Sequence, residues 1–188
     1  MNSFNVKFFN NFEKKYIIPK LKSKNQNNYL MKKFLAAVLF VTLSSFGFIS
    51  STDWTTYTWE DYNLEVTVPD YLRIKKNNGS DFELSGKGME MAMHVFEQKI
   101  SKSEMDDAVI EAASDMELTE IDAEHEIEGD GLDGYYVEGF KNGKRVVFAG
   151  MIDPKSRTNF FLAITFNDRD KKAEADALEI VGNVRSLN

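Results

Sequence analysis

Two histidines are the side chains best suited to acid–base or metal chemistry in this 188-residue sequence. His94 and His125 are about thirty positions apart, each on a predicted strand and each close in sequence to acidic residues. Neither has a second histidine two or four positions away, the spacing typical of a preorganised metal site. The pattern therefore favours two exposed structural histidines. A hydrolase or metal-dependent enzyme that uses His94 or His125 with nearby carboxylates stays open as the alternative function.

A run of carboxylates and glycines at 126–134 is the second candidate, because carboxylate oxygens can surround a calcium ion. If Glu126 is position one of such a loop, position twelve is Val137, where an EF-hand needs a bidentate glutamate. No helix is predicted on either side of the run. It is therefore interpreted as a glycine-rich turn between two strands, with its acids facing water.

Several kinds of reactive site are excluded by composition or by the lack of a motif. The chain has no cysteine, which excludes disulfides, thiolate metal sites, a cysteine nucleophile and a cysteine-linked lipid. It has no Gly-x-Ser-x-Gly elbow around a serine and no glycine motif that cradles a nucleotide. The sequence thus predicts no catalytic residue, no metal ligand and no cofactor, and it favours a protein that is not an enzyme.

Aromatic residues are densest near the start of the acidic part of the chain, where they form a candidate binding surface. Its members are Trp54, Tyr57, Trp59, Tyr62 and Tyr71. An exposed aromatic patch would indicate a surface for an envelope protein or a small ligand. Packing of helices against a sheet would place the same residues in the core, so both interpretations stay open.

Charge divides the chain near residue 51. Residues 1–51 contain eight lysines and one glutamate and so carry +7, although the whole chain carries −7. Residues 52–188 therefore carry −14. Proteins that bind nucleic acid concentrate lysine and arginine to displace phosphate counterions, so no nucleic-acid partner is expected for the acidic part.

The basic segment contains the three parts of a secretory signal peptide. Two lysines follow Met31, and an apolar run and a tail of small residues come after them, which predicts a signal peptide at 31–51. Cleavage after Gly47 fits the small-x-small rule better than cleavage after Ser51. A transmembrane anchor is the rival interpretation, because the apolar run at 34–49 is only slightly short of a membrane span.

Residues 1–30 precede a segment that already has its own methionine and lysines. They are rich in asparagine and lysine and have neither helical nor strand periodicity, so they are interpreted as a mis-assigned start or a disordered leader. A cytoplasmic tail on a signal anchor is the alternative. In either case the lysines keep this side in the cytosol, and the acidic part is exported to the periplasm or secreted, with no membrane span after cleavage.

Residues 52–188 are predicted to form a single domain in which strand and helix periods alternate. The predicted strands are 54–59, 64–68, 81–85, 89–96, 121–127, 132–140, 146–152 and 160–166. A first helix follows the fourth strand, with Ser103 as its N-cap, and a second helix begins at Asn167 or Asp168 and ends near Arg185. Residues 75–80 are predicted to be a solvated turn.

The connections between these strands predict an antiparallel sheet. Asn142 and Gly143 form one of the strongest short hairpin signals, since both tolerate a positive φ. The methionines at 89–96 share one face of their strand and are interpreted as core. The predicted fold class is α+β, with a single antiparallel β-sheet covered by two amphipathic helices in the order ββββ-α-ββββ-α.

Two stretches of the sequence resemble PsbP-like domains. Residues 57–70 give an aromatic strand, a polar turn and an alternating strand that ends in Val68-Pro69, and residues 131–136 lead into the Asn142-Gly143 hairpin. The resemblance covers nearly all of 52–188 and implies an α/β/α sandwich, a fold also used by Ran-binding nuclear-import adaptors. Members of the family range from accessory subunits of membrane complexes to protein-binding adaptors, so the resemblance implies a fold and transfers no functional residue.

The sequence therefore predicts an exported bacterial protein that acts as a non-enzymatic binding or accessory module of the cell envelope. Its oligomeric state and its partner are not predicted.

Overall fold

The computed structural model describes residues 53–96, 100–128 and 131–188. The predicted leader and signal peptide lie outside the described residues. The elements are β1 Trp54–Trp59, β2 Leu64–Pro69, β3 Arg73–Asn77, β4 Asp81–Gly86, β5 Met89–Phe96, α1 Lys102–Asp115, β6 His125–Glu128, β7 Asp133–Lys141, β8 Lys144–Asp153, β9 Thr158–Phe166, α2 Lys171–Gly182 and β10 Val184–Ser186.

The strands form two antiparallel sheets, which corrects the single sheet expected from the sequence. The large sheet has seven strands in the order β3-β4-β5-β9-β8-β7-β6, and the small sheet has three in the order β1-β2-β10. Two of the strands, β3 and β10, were not predicted, so five strands precede α1 and one follows α2. The α+β class with two helices is confirmed.

The small sheet joins the first hairpin of the domain to its last strand. β1 pairs with β2 from Trp54 opposite Pro69 to Trp59 opposite Leu64. On the other side of β2, Arg185 of β10 lies opposite Glu65 and forms an ion pair with it. Burial of the inward side of β2 fixes this register, because a slip by one residue would turn Leu64, Val66 and Val68 toward water.

One face of the large sheet and the small sheet enclose the main core. Met89, Met91 and Met93 are each 1% exposed there, which confirms that the methionine row of β5 is part of the hydrophobic core. Phe160, Leu162 and Ile164 of β9 lie on the same face, and the inner face of α2 packs on it with Ala177, Ile180 and Val181. Alternation along the strands therefore separates this core from the other face of the sheet.

α1 packs on the other face of the large sheet, over β7 and β8. Its N-terminus is a capping box. Ser101 accepts a hydrogen bond from the backbone N–H of Glu104, and the Glu104 carboxylate accepts one from the backbone N–H of Ser101. The N-cap is thus two residues earlier than the predicted Ser103. Met105 and Val109 are completely buried and lie against Gly150 of β8, where a Cβ atom would come within 2.6 Å of each side chain.

Asp170 is the N-cap of α2, and its carboxylate accepts a hydrogen bond from the backbone N–H of Ala173 at 3.0 Å. The predicted caps were Asn167 and Asp168, and the helix ends at Gly182 instead of near Arg185. The chain then passes directly into β10, whose first residue, Val184, pairs with Val66 of the small sheet.

The Asn142-Gly143 hairpin is confirmed, with φ of 51° and 74° at its two turn residues. Lys141 and Lys144 close the hairpin as the last pair of the β7–β8 ladder. Among the described residues, no helix has the length and apolar content needed to cross a membrane.

Candidate functional site

His94 lies on β5 directly opposite Asp81 of β4, and its Nδ1 is 3.1 Å from the Asp81 carboxylate. Lys76 of β3 donates to the other oxygen of the same carboxylate. Burial alone would raise the pKa of Asp81, but the hydrogen bonds from Lys76 and His94 outweigh it and lower that pKa. The three side chains tie β3, β4 and β5 together, so His94 has a structural role, but its side chain is only 13% exposed and is not the exposed histidine that the sequence predicts.

His125 is on β6, and its side chain is half exposed. Its Nε2 is 3.5 Å from the Asp122 carboxylate, and its ring stacks on Tyr136 of β7 with 5.0 Å between centroids. The other oxygen of Asp122 accepts the backbone N–H of Glu138 at 2.7 Å. These contacts attach the segment before β6 to the edge of the large sheet.

The two histidines lie on opposite faces of the large sheet. His94 pairs with Phe161, which pairs with Gly150, which pairs with Tyr135, so these four residues share one face. His125 is paired with Tyr136, the neighbour of Tyr135, and so belongs to the other face. Three strands separate β5 from β6, which places the histidines about 19 Å apart. They cannot act together on one substrate atom.

Two carboxylates of the 126–134 run, those of Glu126 and Asp133, also have a structural partner. Lys102 at the start of α1 is 3.0 Å from Glu126 and 3.1 Å from Asp133, and so joins α1 to β6 and β7. No group of three metal-ligating side chains occurs within the described ranges.

The aromatic side chains of the candidate binding surface are largely packed against the core, on the side of the small sheet. Trp59 is 1% exposed, lies edge-on to Tyr62 with 4.7 Å between centroids, and stacks on Phe82 at 5.9 Å. Its indole N–H donates to the carbonyl of Asn78 at 2.7 Å. The hydroxyl of Tyr62 donates to the carbonyl of Gly79 at 2.5 Å, so both rings fix the β3–β4 turn.

Tyr57 and Tyr71 are half-buried and also make internal hydrogen bonds. The Tyr57 hydroxyl donates to the carbonyl of Leu72 at 3.3 Å, and that of Tyr71 donates to the buried Asp176 at 2.8 Å. Lys172 also bonds the Asp176 carboxylate. Burial and the hydrogen bond to Asp176 raise the pKa of Tyr71 above its ordinary value.

Trp54, the remaining member, lies at the start of β1, and no described strand pairs with the outer backbone edge of β1. The backbone N–H of Asp70 donates to the carbonyl of Asp53 at 2.8 Å. Hydrogen-bonded pairs of an antiparallel ladder recur at every second residue, so the backbone groups that bond β1 to β2 belong to every second residue counted from Asp53. The backbone N–H of Thr67 is bonded to Asn183 on the other side of β2, and Pro69 has no N–H. The N–H and C=O groups on β1 that point away from β2 are those of Trp54, Thr56 and Thr58.

No described residue pairs with that edge of β1, which we call the β1 edge and define as the outward backbone groups of Trp54, Thr56 and Thr58. β1 itself has six residues and no charge, with the sequence Trp-Thr-Thr-Tyr-Thr-Trp. Thr56 is exposed and its hydroxyl is 2.9 Å from that of Thr67. A long, uncharged, open edge is a template for pairing with another chain.

The other three sheet edges have features that hinder such pairing. β3 carries Arg73 and Lys75 and has an irregular register between Ile74 and Lys76. β6 has only four residues and β10 only three. Charge, bulges and short length are the usual protection of edge strands, and β1 has none of them.

Sequence reasoning identified the residues of β1 but assigned them to a side-chain surface. The missed signal is the lack of Lys, Arg, Asp, Glu and Pro in 54–59, which is unusual if that strand is at an edge. The sequence could not show that β1 would be the edge strand, because its place depends on β10, far along the chain.

No protein-family model matches the chain, and neither does any curated protein. Among solved structures, it is similar to the Ran-binding protein Mog1p of Saccharomyces cerevisiae, with a TM-score of 0.50 and 8% identity over 73% of this chain and 97% of that one. A Bacteroides thetaiotaomicron protein matches with a TM-score of 0.47 and 8% identity, over 73% of this chain and 49% of that one. LpqN of Mycobacterium tuberculosis, described as involved in cell envelope biogenesis, matches with a TM-score of 0.40 and 13% identity, over 71% and 90%. The likeness to Mog1p concerns the fold alone, and it supports the PsbP- and Mog1-like α+β fold that the resemblance in sequence implies.

Proposed function

We propose that residues 52–188 form an exported, non-enzymatic binding or accessory module of the cell envelope, and that it binds another protein of the envelope. The observation that carries the proposal is the β1 edge. Its three residues offer outward N–H and C=O groups on a strand without charge, and backbone groups of this kind bind an extended segment of a partner by adding a strand to the sheet.

Export rests on the sequence of residues 31–51, and the choice of a protein partner rests on the shape of the edge. A strand edge presents a row of backbone donors and acceptors at the spacing of another backbone, which a small ligand does not reproduce. A solved neighbour of the same fold, Mog1p, is described as Ran-binding, which is in keeping with a binding role for such a fold.

The test is capture of partners by the full-length chain from the envelope of the cells that produce it. Thr56→Pro removes one outward N–H but no bond between β1 and β2, so the variant is expected to fold and to lose its partner. Thr56→Ala is the matched control, because it keeps the N–H and removes the same hydroxyl. Partners recovered equally by the wild type and the proline variant would contradict the proposal.

Folding of the variants is checked by their thermal unfolding. If Thr56→Pro unfolds early, Thr58→Lys replaces it, since a lysine on an edge strand hinders pairing without changing the backbone. Recovery of no protein, together with binding of a small molecule that the two variants leave unchanged, would also overturn the proposal.

A further inference from the structure

The β1 edge has acidic groups at both of its ends, which restricts the kind of strand that can pair with it. Asp53 precedes Trp54, and Glu60 and Asp61 follow Trp59. All three carboxylates belong to exposed residues. The centre of the edge, by contrast, is uncharged and rich in threonine.

A second copy of this chain fits the hydrogen-bonding groups of the edge but not its charge. Antiparallel pairing about Thr56 would place Trp54 opposite the partner's Thr58 and would form about six backbone hydrogen bonds. It would also bring Asp53 of each copy toward the partner's Glu60 at both ends. Two domains that each carry −14 repel one another as well. The charge therefore disfavours self-pairing.

We propose that the β1 edge takes an extended segment of another protein whose centre is uncharged and whose ends carry lysine or arginine. This inference rests on the proposed function and names the chemistry of the partner. The uncharged centre of the segment bonds to Trp54, Thr56 and Thr58, and its basic ends lie near Asp53 and near Glu60 and Asp61. In the partner segment, the side chains opposite the threonines of β1 are β-branched or carry a hydroxyl, because such side chains pair well with threonine.

Within the part of the chain that the structure describes, no basic side chain forms an ion pair with Asp53, Glu60 or Asp61. Arg185 is paired with Glu65 on the far side of β2, and Lys76 is paired with Asp81 in the large sheet. Arg73 donates to the carbonyl of Leu72 and is exposed on β3. Of the described residues next to the ends of β1, Asp53 precedes the strand, Glu60 and Asp61 lie in the short 3-10 helix that follows it, and all three are acidic.

The test uses three synthetic peptides and the full-length chain, purified as its host processes it. One peptide has a centre of alternating valine and threonine with two lysines at each end, the second has the same centre with glutamates, and the third is the lysine peptide with an N-methyl group on every amide of the centre. The lysine peptide is expected to bind about ten-fold or more tightly than the glutamate peptide at low salt, with a smaller ratio at high salt. The N-methylated peptide should not bind, because it lacks the donors.

Amide exchange identifies the site directly. In the free protein the N–H groups of Thr56 and Thr58 should exchange fast, while those of Thr55 and Tyr57, bonded to β2, should be protected. The lysine peptide should protect Thr56 and Thr58 and leave Thr55 and Tyr57 as they are. Protection elsewhere in the domain without a change at Thr56 would overturn the inference.

Charge reversal in the protein provides the matched comparison. Asp53→Lys combined with Asp61→Lys should invert the preference between the lysine and glutamate peptides, whereas Asp107→Lys combined with Glu111→Lys, on the exposed side of α1, should leave it unchanged. Equal binding of both peptides, or a concentration-dependent dimer that Thr56→Pro abolishes, would overturn the basic-strand inference. If capture of envelope proteins still depended on Thr56 in that case, the proposed function would stand alone.

Discussion

Asp153 is a completely buried carboxylate that receives four hydrogen bonds at the end of β8. Ser156 Oγ donates at 2.6 Å, Ser186 Oγ at 2.8 Å, Asn188 Nδ2 at 2.8 Å and the backbone N–H of Lys155 at 2.9 Å. Burial by itself would raise the pKa of Asp153, but these bonds outweigh it and lower the pKa to about 2. The carboxylate thus joins the β8–β9 turn to β10.

Replacing this carboxylate by an amide should destabilise the domain in a pH-dependent way. The lowered pKa of Asp153 corresponds to about 2 kcal/mol of stability near neutral pH. That contribution is present above the unfolded pKa near 4 and is lost as the pH falls toward 2. Asp153→Asn should therefore cost about 2 kcal/mol in urea unfolding at pH 6 and much less near pH 2.5.

Glu124→Gln is the control for this prediction, because Glu124 is exposed and its replacement should change the free energy of unfolding by less than about 0.5 kcal/mol. A loss for Asp153→Asn that is the same at both pH values would mean that the carboxylate charge is not the source of the stability.

The roles of single residues could be predicted from the sequence only where they depend on near neighbours. The turn at Asn142 and Gly143 is set by their own φ preferences, and the burial of Met91 by the alternation of β5. The hydrogen-bond partners of His94 and Asp153 come from other elements, so no local sequence pattern predicts them. The two histidines could be predicted to be structural, but the burial of His94 and the placement of the two on opposite faces of the large sheet could not.

At the scale of elements, α1 and the large sheet meet where β8 has no side chain. Gly150 leaves room for Met105 and Val109 on the facing side of the helix. Met105 can turn aside, but a valine in a helix has one strongly preferred rotamer. An added methyl group must therefore move α1 away from β7 and β8.

Gly150→Ala is expected to destabilise the domain by about 1–3 kcal/mol, the usual cost of overpacking a core. Thermal unfolding measures it, with Gly182→Ala as the control. A Cβ at Gly182 meets nothing within 4 Å at the end of α2, so that variant should be neutral or slightly more stable. Equal melting temperatures for the wild type and Gly150→Ala would show that α1 shifts at no cost.

Elements with strong local patterns could be predicted, and the two missed strands show why others could not. β3 contains Arg73, Lys75 and Lys76 on an exposed edge, and its irregular register interrupts the alternation by which strands are identified. β10 has three residues that continue the apolar stripe of α2, so Val184 was assigned to the helix. The expectation of a single sheet followed from these two omissions.

At the scale of the whole molecule, the prediction concerns where the mature chain begins. The signal-peptide interpretation of 31–51 expects a first residue at Phe48 or Thr52 after export, just before β1 begins at Trp54. N-terminal sequencing of the protein recovered from outside the cytoplasm measures this. A chain that keeps Lys32 and the apolar run after export would instead support the membrane-anchor alternative.

The position of β10 beside β2 has a consequence for a chain that crosses a membrane from its N-terminus. Glu65 and Arg185, which meet across these strands, are 120 positions apart, so the first hairpin can emerge long before its third strand does. A hairpin of two strands alone is marginally stable in water. In a chain that crosses in this way, the small sheet should therefore close only when nearly all of the domain has been translocated.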